Sequence, residues 1–233
     1  MIDGKTPPPA GKIKNGKTAQ KNEFPYIVAL LGAGQHPKQE LFGAGTLLSD
    51  RWIVTSKLAA LDQKGNGHKL KDLVVSPAYD IDLSMLLKLN ESIPIGNDSD
   101  SLIKPISIGS QPERVQDAYI AGWGVNSKKN TSDEHKLQYG RITLINTGCL
   151  LTCKIMIRTK LGSYPQVCRG DIGGPAVQRD GKNPDTLVGV ISSHDNLCLS
   201  MNVFVNATTY RPWIEETMRE DPGQSTCRGS GWG

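Results

Sequence analysis

The stretch from Val167 to Val177, VCRGDIGGPAV, has the form of a loop that presents a nucleophile. Gly170, Gly173 and Gly174 surround the position where the nucleophile would stand. That position holds Ile172, whose side chain is pure hydrocarbon and cannot attack a carbonyl carbon. The stretch therefore predicts a catalytic loop that lacks its catalytic atom.

The composition indicates a globular chain with a mildly basic surface. The 233 residues suit one large all-β domain or two half-size barrels, and 37% of them are hydrophobic. No apolar run approaches the roughly 20 residues that would span a bilayer. The net charge of +4 comes from scattered residues, which gives no support to nucleic-acid binding. We therefore expect neither a membrane nor a nucleic acid as a partner.

Short apolar runs separated by turn residues predict an all-β chain. Runs such as YIVALL, RWIVTS, GRITLIN and TLVGVISS have the length and β-branched content of strands, and their spacing suits a sandwich or a barrel. Residues 1–12 contain three consecutive prolines and predict an unstructured arm, from which any secretion signal has already been removed. Near the other end, YRPWIEETMRE predicts a helix over about 210–219, with Pro212 in its first turn. Its apolar face would hold Trp213, Ile214 and Met218.

Four separated segments carry a family resemblance. They are IKNGKTAQKNEFPYIVAL, GAGTLLSDRWIVTSKLAA, AYIAGWG, and CRGDIGGPAV with the chain onward to WIEETM. In order and spacing they resemble the chymotrypsin-like serine protease family, over nearly all of residues 13–219. The resemblance implies a peptidase-like domain over 13–233, built from two six-stranded antiparallel β-barrels with a cleft between them. The first barrel would span about 13–108 and the second about 109–209, followed by the helix and a tail over 220–233.

The resemblance places the family's catalytic positions on side chains that cannot perform its chemistry. In this family a serine attacks, a histidine removes its proton, and an aspartate orients the histidine. The serine position falls on Ile172 and the histidine position on Leu58, and neither side chain can take up or release a proton. The aspartate position falls on Asp82 or Leu83, depending on whether a one-residue bulge is present. We expect no enzyme activity, because loss of the serine or the histidine alone costs about 10⁶ in rate in a serine protease.

The specificity pocket implied by the resemblance is expected to be occluded. The family keeps small residues in its walls, whereas three of those positions map here to Asp195, Leu197 and Asn202, beside His194. The base of the pocket maps to Gln166. Side chains of this size would fill the space that a substrate side chain needs, and a repacked open cleft is the alternative. We therefore expect small amidine ligands of such pockets not to bind.

Gly170 and Asp171 remain from the loop that forms the oxyanion site in the family. The family pairs this aspartate with an N-terminal amine that cleavage releases, and the matching bond here lies between Lys12 and Ile13. A free Ile13 amine could pair with Asp171 and order the loop. In the uncut chain that amine does not exist, so Asp171 must find another donor or stay near water, because a bare buried charge is costly. We expect its role to be structural.

Cysteines and glycosylation sequons favour the secretory pathway. Cys168 and Cys198 match a family disulfide, and we expect that bond. The remaining cysteines leave two alternatives open, Cys149 with Cys153, or one of these with Cys227. No paired CxxC pattern is present, so we expect no zinc and no cofactor. Possible glycosylation sequons begin at Asn90, Asn97, Asn130 and Asn206.

A chain that keeps the predicted fold but lacks the catalytic side chains resembles one group of this family, the inactivated serine protease paralogues of the scabies mite. These are relatives of the mite trypsin-like group 3 allergens. That resemblance implies a secreted, extracellular protein of the gut lumen. It also implies binding to host proteins, in particular complement components, and inhibition of complement. Two alternatives stay open. The chain could be a decoy for protease inhibitors or substrates, or a hydrolase with a non-standard site.

Overall fold

The computed structural model arranges the chain as two antiparallel sheets and a C-terminal helix. It describes residues 13–31, 41–56, 73–75, 84–89, 91–95, 102–110, 115–124, 136–146, 156–168, 170–193 and 201–220. The elements follow the chain as β1 (Lys17–Thr18), β2 (Ile27–Leu31), β3 (Leu41–Leu47), β4 (Trp52–Ser56), β5 (Leu73–Val75), β6 (Ser84–Lys88), β7 (Ser107–Ile108), β8 (Val115–Gly122), β9 (Gln138–Ile145), β10 (Met156–Arg158), β11 (Pro175–Gln178), β12 (Thr186–Ser193), β13 (Val203–Asn206) and α1 (Ala207–Glu220).

The first sheet has the strand order β2–β3–β4–β6–β5, and all neighbouring strands are antiparallel. Strand β4, WIVTS, is buried along its whole length between β3 and β6. A strand that is buried on both faces reads as a continuous apolar and β-branched run, which is why this stretch stands out in the sequence. Six strands were predicted here, and the described residues contain five.

The second sheet closes into a six-stranded barrel in the order β8–β9–β10–β13–β12–β11 and back to β8. Strand β9 alternates in burial, with Ile142 and Leu144 inside and Arg141 and Thr143 exposed, as expected for a strand with one face in water. Two short strands join this sheet from earlier in the chain, since β1 pairs with β9 and β7 pairs in parallel with β12. The predicted all-β, chymotrypsin-like fold with a C-terminal helix is confirmed.

The buried apolar side chains form two cores. The smaller core fills the closed barrel, and its members include Ile13, Ile120, Leu144, Ile157, Val188, Ile191 and Phe204. The larger core joins both sheets and also takes in Ile172 and Ile214. The predicted catalytic loop and helix α1 therefore both pack into the core that the two sheets share.

Helix α1 begins at Ala207, three residues before the predicted start. The side chain of Asn206 caps it, because its Oδ1 accepts hydrogen bonds from Thr208 N (3.2 Å) and Thr208 Oγ1 (2.7 Å). Pro212 consequently lies in the second turn and not in the first, where its missing N–H removes one helical hydrogen bond. The predicted apolar face is confirmed, since Ile214 is fully buried and Trp213 and Met218 pack against the larger core. No helix among the described residues has the length and apolar character needed to cross a bilayer.

A half-buried group of polar and aromatic side chains, the Arg179 cluster, fastens the β11–β12 connection to the segment before β2. Arg179 donates to Asp185 from Nε (2.9 Å to Oδ1) and from Nη2 (2.7 Å to Oδ2), and Nη2 also donates to the Glu23 carbonyl oxygen (2.9 Å). The guanidinium lies 4.6 Å from the ring centroid of Phe24, and Tyr26 Oη donates to Asp185 Oδ2 at 2.7 Å. Burial and the neighbouring Asp185 carboxylate raise the pKa of the Tyr26 hydroxyl above its ordinary range. The cluster therefore holds together parts of the chain that are distant in sequence.

Candidate functional site

The predicted nucleophile loop is held on both sides by the two sheets. Ala44 N, on β3, donates to the Ile172 carbonyl oxygen at 2.8 Å. On the other side, Gly173 N donates to the Ile191 carbonyl oxygen at 2.8 Å, and Ile191 N donates back to the Gly174 carbonyl oxygen at 2.9 Å. The loop residues Gly173 and Gly174 thus pair with strand β12 as a neighbouring strand would. The Ile172 side chain is only 8% exposed and belongs to the core between the sheets.

Glycine is required at Gly173 by both conformation and space. Its φ is +86°, which lies in the region that L-residues with a side chain rarely adopt. A Cβ at this position would also overlap the Ala44 carbonyl oxygen and Thr55 Oγ1, two atoms that are already hydrogen-bonded to each other at 2.7 Å. The loop therefore keeps the tight backbone of a site that presents a side chain at position 172. The side chain at that position offers only carbon and hydrogen.

Asp171 is fully buried, and the two described partners of its carboxylate are backbone amides. Gly124 N donates to Oδ1 at 2.7 Å and Cys168 N donates to Oδ2 at 2.8 Å. Burial raises the pKa of Asp171 to about 7, and the two amides only partly offset that effect. A Cβ on Gly122 would overlap Asp171 Oδ1, so the carboxylate is also tightly enclosed. The backbone N–H groups of Gly124 and Cys168 are thus the donors that Asp171 was expected to find in the uncut chain.

Ile13 lies in the core of the closed barrel with no exposed surface. The next residue, Lys14, forms a backbone bridge with Gln166, in which Lys14 N donates to the Gln166 carbonyl oxygen (2.9 Å) and Gln166 N donates to that of Lys14 (3.1 Å). Gly16 N then donates to the Ile13 carbonyl oxygen at 2.7 Å and turns the chain toward β1. The first residues of the predicted domain therefore pair directly with Gln166, the residue predicted to form the base of the pocket. Lys12 lies outside the described residues, so the predicted cleavage stays a prediction.

Asn202 and Gln166, two of the predicted pocket-filling residues, are each 1% exposed. The Asn202 side chain bridges to the opposite segment, because its Oδ1 accepts from Val167 N (2.9 Å) and its Nδ2 donates to the Pro165 carbonyl oxygen (2.9 Å). Its own backbone N donates to Thr159 Oγ1 at 3.0 Å. At the position predicted to be a pocket wall, this chain thus has a buried amide that hydrogen-bonds to the segment containing Pro165 and Val167.

Most of the other predicted site residues lie outside the described part of the chain. Cys168 is in a disulfide, and its predicted partner Cys198 is not among the described residues. The remaining predicted residues that also fall outside the described ranges are Leu58, Asp82, Leu83, His194, Asp195, Leu197, Asn90, Asn97, Asn130, Cys149, Cys153 and Cys227. The described residues contain no group of three or more His, Cys, Asp or Glu side chains placed to bind a metal.

Asn206, a possible glycosylation site, is fully buried in the folded chain. Its side-chain oxygen caps helix α1 through the two hydrogen bonds from Thr208. A glycan requires a solvent-exposed asparagine amide, so this geometry argues against glycosylation of Asn206 in the folded protein. The pattern Asn–Ala–Thr serves here as a helix start, since Asn is among the preferred capping residues.

Two features of this region were not predicted from the sequence. Sequence mapping indicated that Asn202 adds bulk to the pocket wall, but it did not indicate that its side chain hydrogen-bonds to both Pro165 and Val167. The Arg179 cluster was also missed, because Arg179 and Glu23 are 156 residues apart in sequence. A signal for the first feature was available, since an asparagine directly before an apolar strand is expected to be buried, and buried polar side chains usually have hydrogen-bond partners.

Comparisons with known proteins agree with this geometry. The family model described as Trypsin matches residues 13–214. Human kallikrein-7 is 24% identical over 90% of this chain and 88% of its own length, and rat cationic trypsin-3 is 26% identical over 89% and 90%. Ovochymase of Halocynthia roretzi is 22% identical over 89% of this chain, which spans only 15% of that longer protein. The match runs from the buried Ile13 to Ile214 of the C-terminal helix, and on that basis the chain belongs to the trypsin family.

Proposed function

We propose that this chain is a catalytically inactive member of the trypsin family that acts by binding other proteins. The observation that carries the proposal is Ile172. The loop around this position keeps its tight turn and its pairing with both sheets, yet it presents a buried hydrocarbon where the family needs a nucleophile. Leu58 at the predicted histidine position would remove the general base as well.

The residues of the predicted pocket support the same proposal. Asn202 and Gln166 are buried, and the Asn202 amide is fixed by hydrogen bonds to Pro165 and Val167. A substrate side chain could enter this space only by breaking those bonds and leaving buried polar groups without partners, which costs about 1–3 kcal/mol for each group. Substrate binding in the manner of an active protease is therefore disfavoured before any chemical step.

We infer that the proteins bound are components of host complement and that binding inhibits complement. This part of the proposal depends on the resemblance to the inactivated mite paralogues, which also gives the expected location, secreted and in the gut lumen. The fold suits such a role, because its many surface loops are free to contact a partner once the cleft has no catalytic function. A decoy for protease inhibitors is disfavoured, because such inhibitors insert a side chain into a pocket that Asn202 bridges.

Two assays test the two parts of the proposal. For inactivity, the purified chain is incubated with a broad fluorogenic peptide library and with a fluorophosphonate, which labels activated serine hydroxyls. Rat cationic trypsin-3 serves as the positive control. We expect no turnover and no label, and peptide cleavage that copurifies with the chain would contradict the proposal.

For binding, lysis of antibody-coated erythrocytes in serum should fall as the chain is added, with heat-denatured protein as the control. Undiminished lysis at micromolar protein would count against complement inhibition.

A further inference from the structure

The turn over residues 160–164 presents two large apolar side chains to solvent. Leu161 is 67% exposed and Tyr164 is 49% exposed. Single exposed apolar residues are common on soluble proteins, but neighbouring ones in one turn form a patch, and such patches mark contact surfaces. Tyrosine is also among the residues that are enriched at the energetically important positions of protein interfaces.

Hydrogen bonds fix the shape of this turn at its centre and at both ends. Ser163 N and Ser163 Oγ both donate to the Lys160 carbonyl oxygen, at 3.1 Å and 2.6 Å. At the start of the turn, Thr159 N donates to the Asn202 carbonyl oxygen at 3.0 Å, and at its end Asn202 Nδ2 donates to the Pro165 carbonyl oxygen at 2.9 Å. The turn is therefore preorganised, and a preorganised surface loses little conformational entropy when a partner binds.

The surroundings of the turn are basic. The described stretches 13–20 and 156–168 together contain Lys14, Lys17, Arg158 and Lys160, and they contain no aspartate or glutamate. The Lys14 ammonium lies 5.5 Å from the ring centroid of Tyr164, which places a positive charge directly beside the apolar patch. A partner that complements this surface carries negative charge.

We propose that the turn 160–164, together with Lys14, is the surface through which this chain binds its partner, an acidic protein segment that carries at least one apolar side chain. The partner's apolar side chain packs on Leu161 and Tyr164, and its carboxylates face Lys14 and Lys160. The inference rests on the proposed non-catalytic binding function and adds the chemistry of the partner and the place where it binds.

Short fluorescein-labelled peptides test this surface on the full chain. The probe alternates glutamate and leucine, one control replaces glutamate by lysine, and a second control replaces leucine by serine. By fluorescence anisotropy we expect the Glu–Leu peptide to bind at least about tenfold more tightly than either control. Hydrogen exchange should show protection at residues 158–164. Equal binding of all three peptides, or protection confined to another face, would overturn the proposal.

Matched variants assign the binding to individual side chains. The double variant Leu161→Ser with Tyr164→Ser should weaken binding of the Glu–Leu peptide by about tenfold or more. Lys14→Glu should weaken it and make its loss with salt less steep, because one attractive charge has been removed. Leu102→Ser is the control, because Leu102 is 55% exposed but lies outside the two basic stretches, and it should leave binding unchanged. All of these positions are wholly or partly exposed, so circular dichroism should show a native fold in each variant. Binding that survives the double variant would refute the proposal.

The complement assay separates failure of this proposal from failure of the proposed function. If the wild-type chain inhibits lysis and the double variant inhibits equally well, the surface is wrong while the binding function stands. If the wild-type chain does not inhibit lysis but still binds the Glu–Leu peptide through Leu161 and Tyr164, the surface stands and complement is not the target. Sedimentation velocity tests whether a second copy of the chain binds this surface instead. A dimer that the double variant abolishes would assign the surface to self-association and would refute the proposal of an acidic partner.

Discussion

The buried carboxylate of Asp171 makes the stability of the uncut chain fall as pH rises from about 4 to about 7. In the unfolded chain Asp171 ionises near its ordinary pKa of 3.8, whereas in the folded chain burial raises its pKa to about 7. Below pH 4 the carboxyl is protonated in both states, so it does not lower the free energy of unfolding. Between these pH values the unfolded chain releases the proton and the folded chain keeps it, so the free energy of unfolding decreases. Above pH 7 the loss is complete and constant.

The size of the effect follows from the displacement of the pKa. A change from 3.8 to about 7 corresponds to a loss of about 4 kcal/mol, at 1.36 kcal/mol for each pKa unit. Such a loss is a large fraction of the 5–15 kcal/mol that holds an average domain folded. It should therefore be resolved by chemical denaturation even though other carboxylates titrate over the same range.

Urea unfolding of the wild-type chain and of Asp171→Asn, at pH of about 4, 5.5 and 8, isolates this contribution. The other carboxylates are common to both proteins, so the difference between the two free energies of unfolding reports Asp171 alone. Asparagine cannot accept from both Gly124 N and Cys168 N, so the substitution has a cost of its own, but that cost does not change with pH. We expect the wild-type chain to lose stability relative to the variant by up to about 4 kcal/mol as pH rises.

A difference that is flat, or that grows in favour of the wild-type chain as pH rises, would refute this reasoning. The second outcome has a specific meaning, because it requires that a nearby cation or the two backbone amides outweigh the burial of Asp171. Trypsin cleavage after Lys12 provides the matched comparison. If cleavage frees an Ile13 amine that pairs with Asp171, the pKa of the carboxyl falls below its ordinary value and the sign of the pH dependence reverses.

Three further predictions concern the cluster, the loop and the pocket. Arg179→Met should lower the free energy of unfolding by about 2 kcal/mol, because it leaves the half-buried carboxylates of Glu23 and Asp185 without their cation. Arg141→Ala breaks only an exposed ion pair and should cost less than about 1 kcal/mol in urea denaturation. Gly173→Ala should cost about 3 kcal/mol or more by the same measurement, and Gly181→Ala, at a φ of +75° with no atom near its Cβ, should cost only about 1 kcal/mol. Benzamidine should give no binding heat in calorimetry while Asn202 bridges the pocket, and millimolar or tighter binding would show that the pocket is open.

The strand patterns were sufficient to predict an all-β chain, and the resemblance of four segments to a known family supplied the chymotrypsin-like arrangement. Strand β4 is uniformly buried and apolar, and β9 alternates, so each run matched one of the two patterns that strands follow. The nucleophile loop was equally clear, since its glycines and Asp171 mark the position that Ile172 occupies. Position and side-chain type together were enough there, because the chemistry depends on a single atom.

The features that the sequence could not predict depend on contacts between distant parts of the chain. The helix was predicted to begin near 210 because Pro212 suits a first turn, but Asn206 provides the cap and the helix starts at Ala207. The preference of proline for the first turn did not determine the helix start, because the capping hydrogen bonds of the Asn206 side chain fix it earlier in the chain. The hydrogen bonds of Asn202 and the Arg179 cluster belong to the same class, since their partners come together only after the barrel closes.

Closure of the second barrel also determines how freely the surface can change. An open sheet presents edge strands whose unpaired amides and carbonyls invite aggregation, so residues near an edge are constrained by the need for solubility. In this barrel β8 returns to β9 and β11, and no strand of the ring has an unpaired edge. Substitutions in the connecting loops therefore carry little risk of intermolecular β-pairing. Loops that connect the strands of this ring can thus vary in length and charge without exposing a strand edge to a neighbouring molecule.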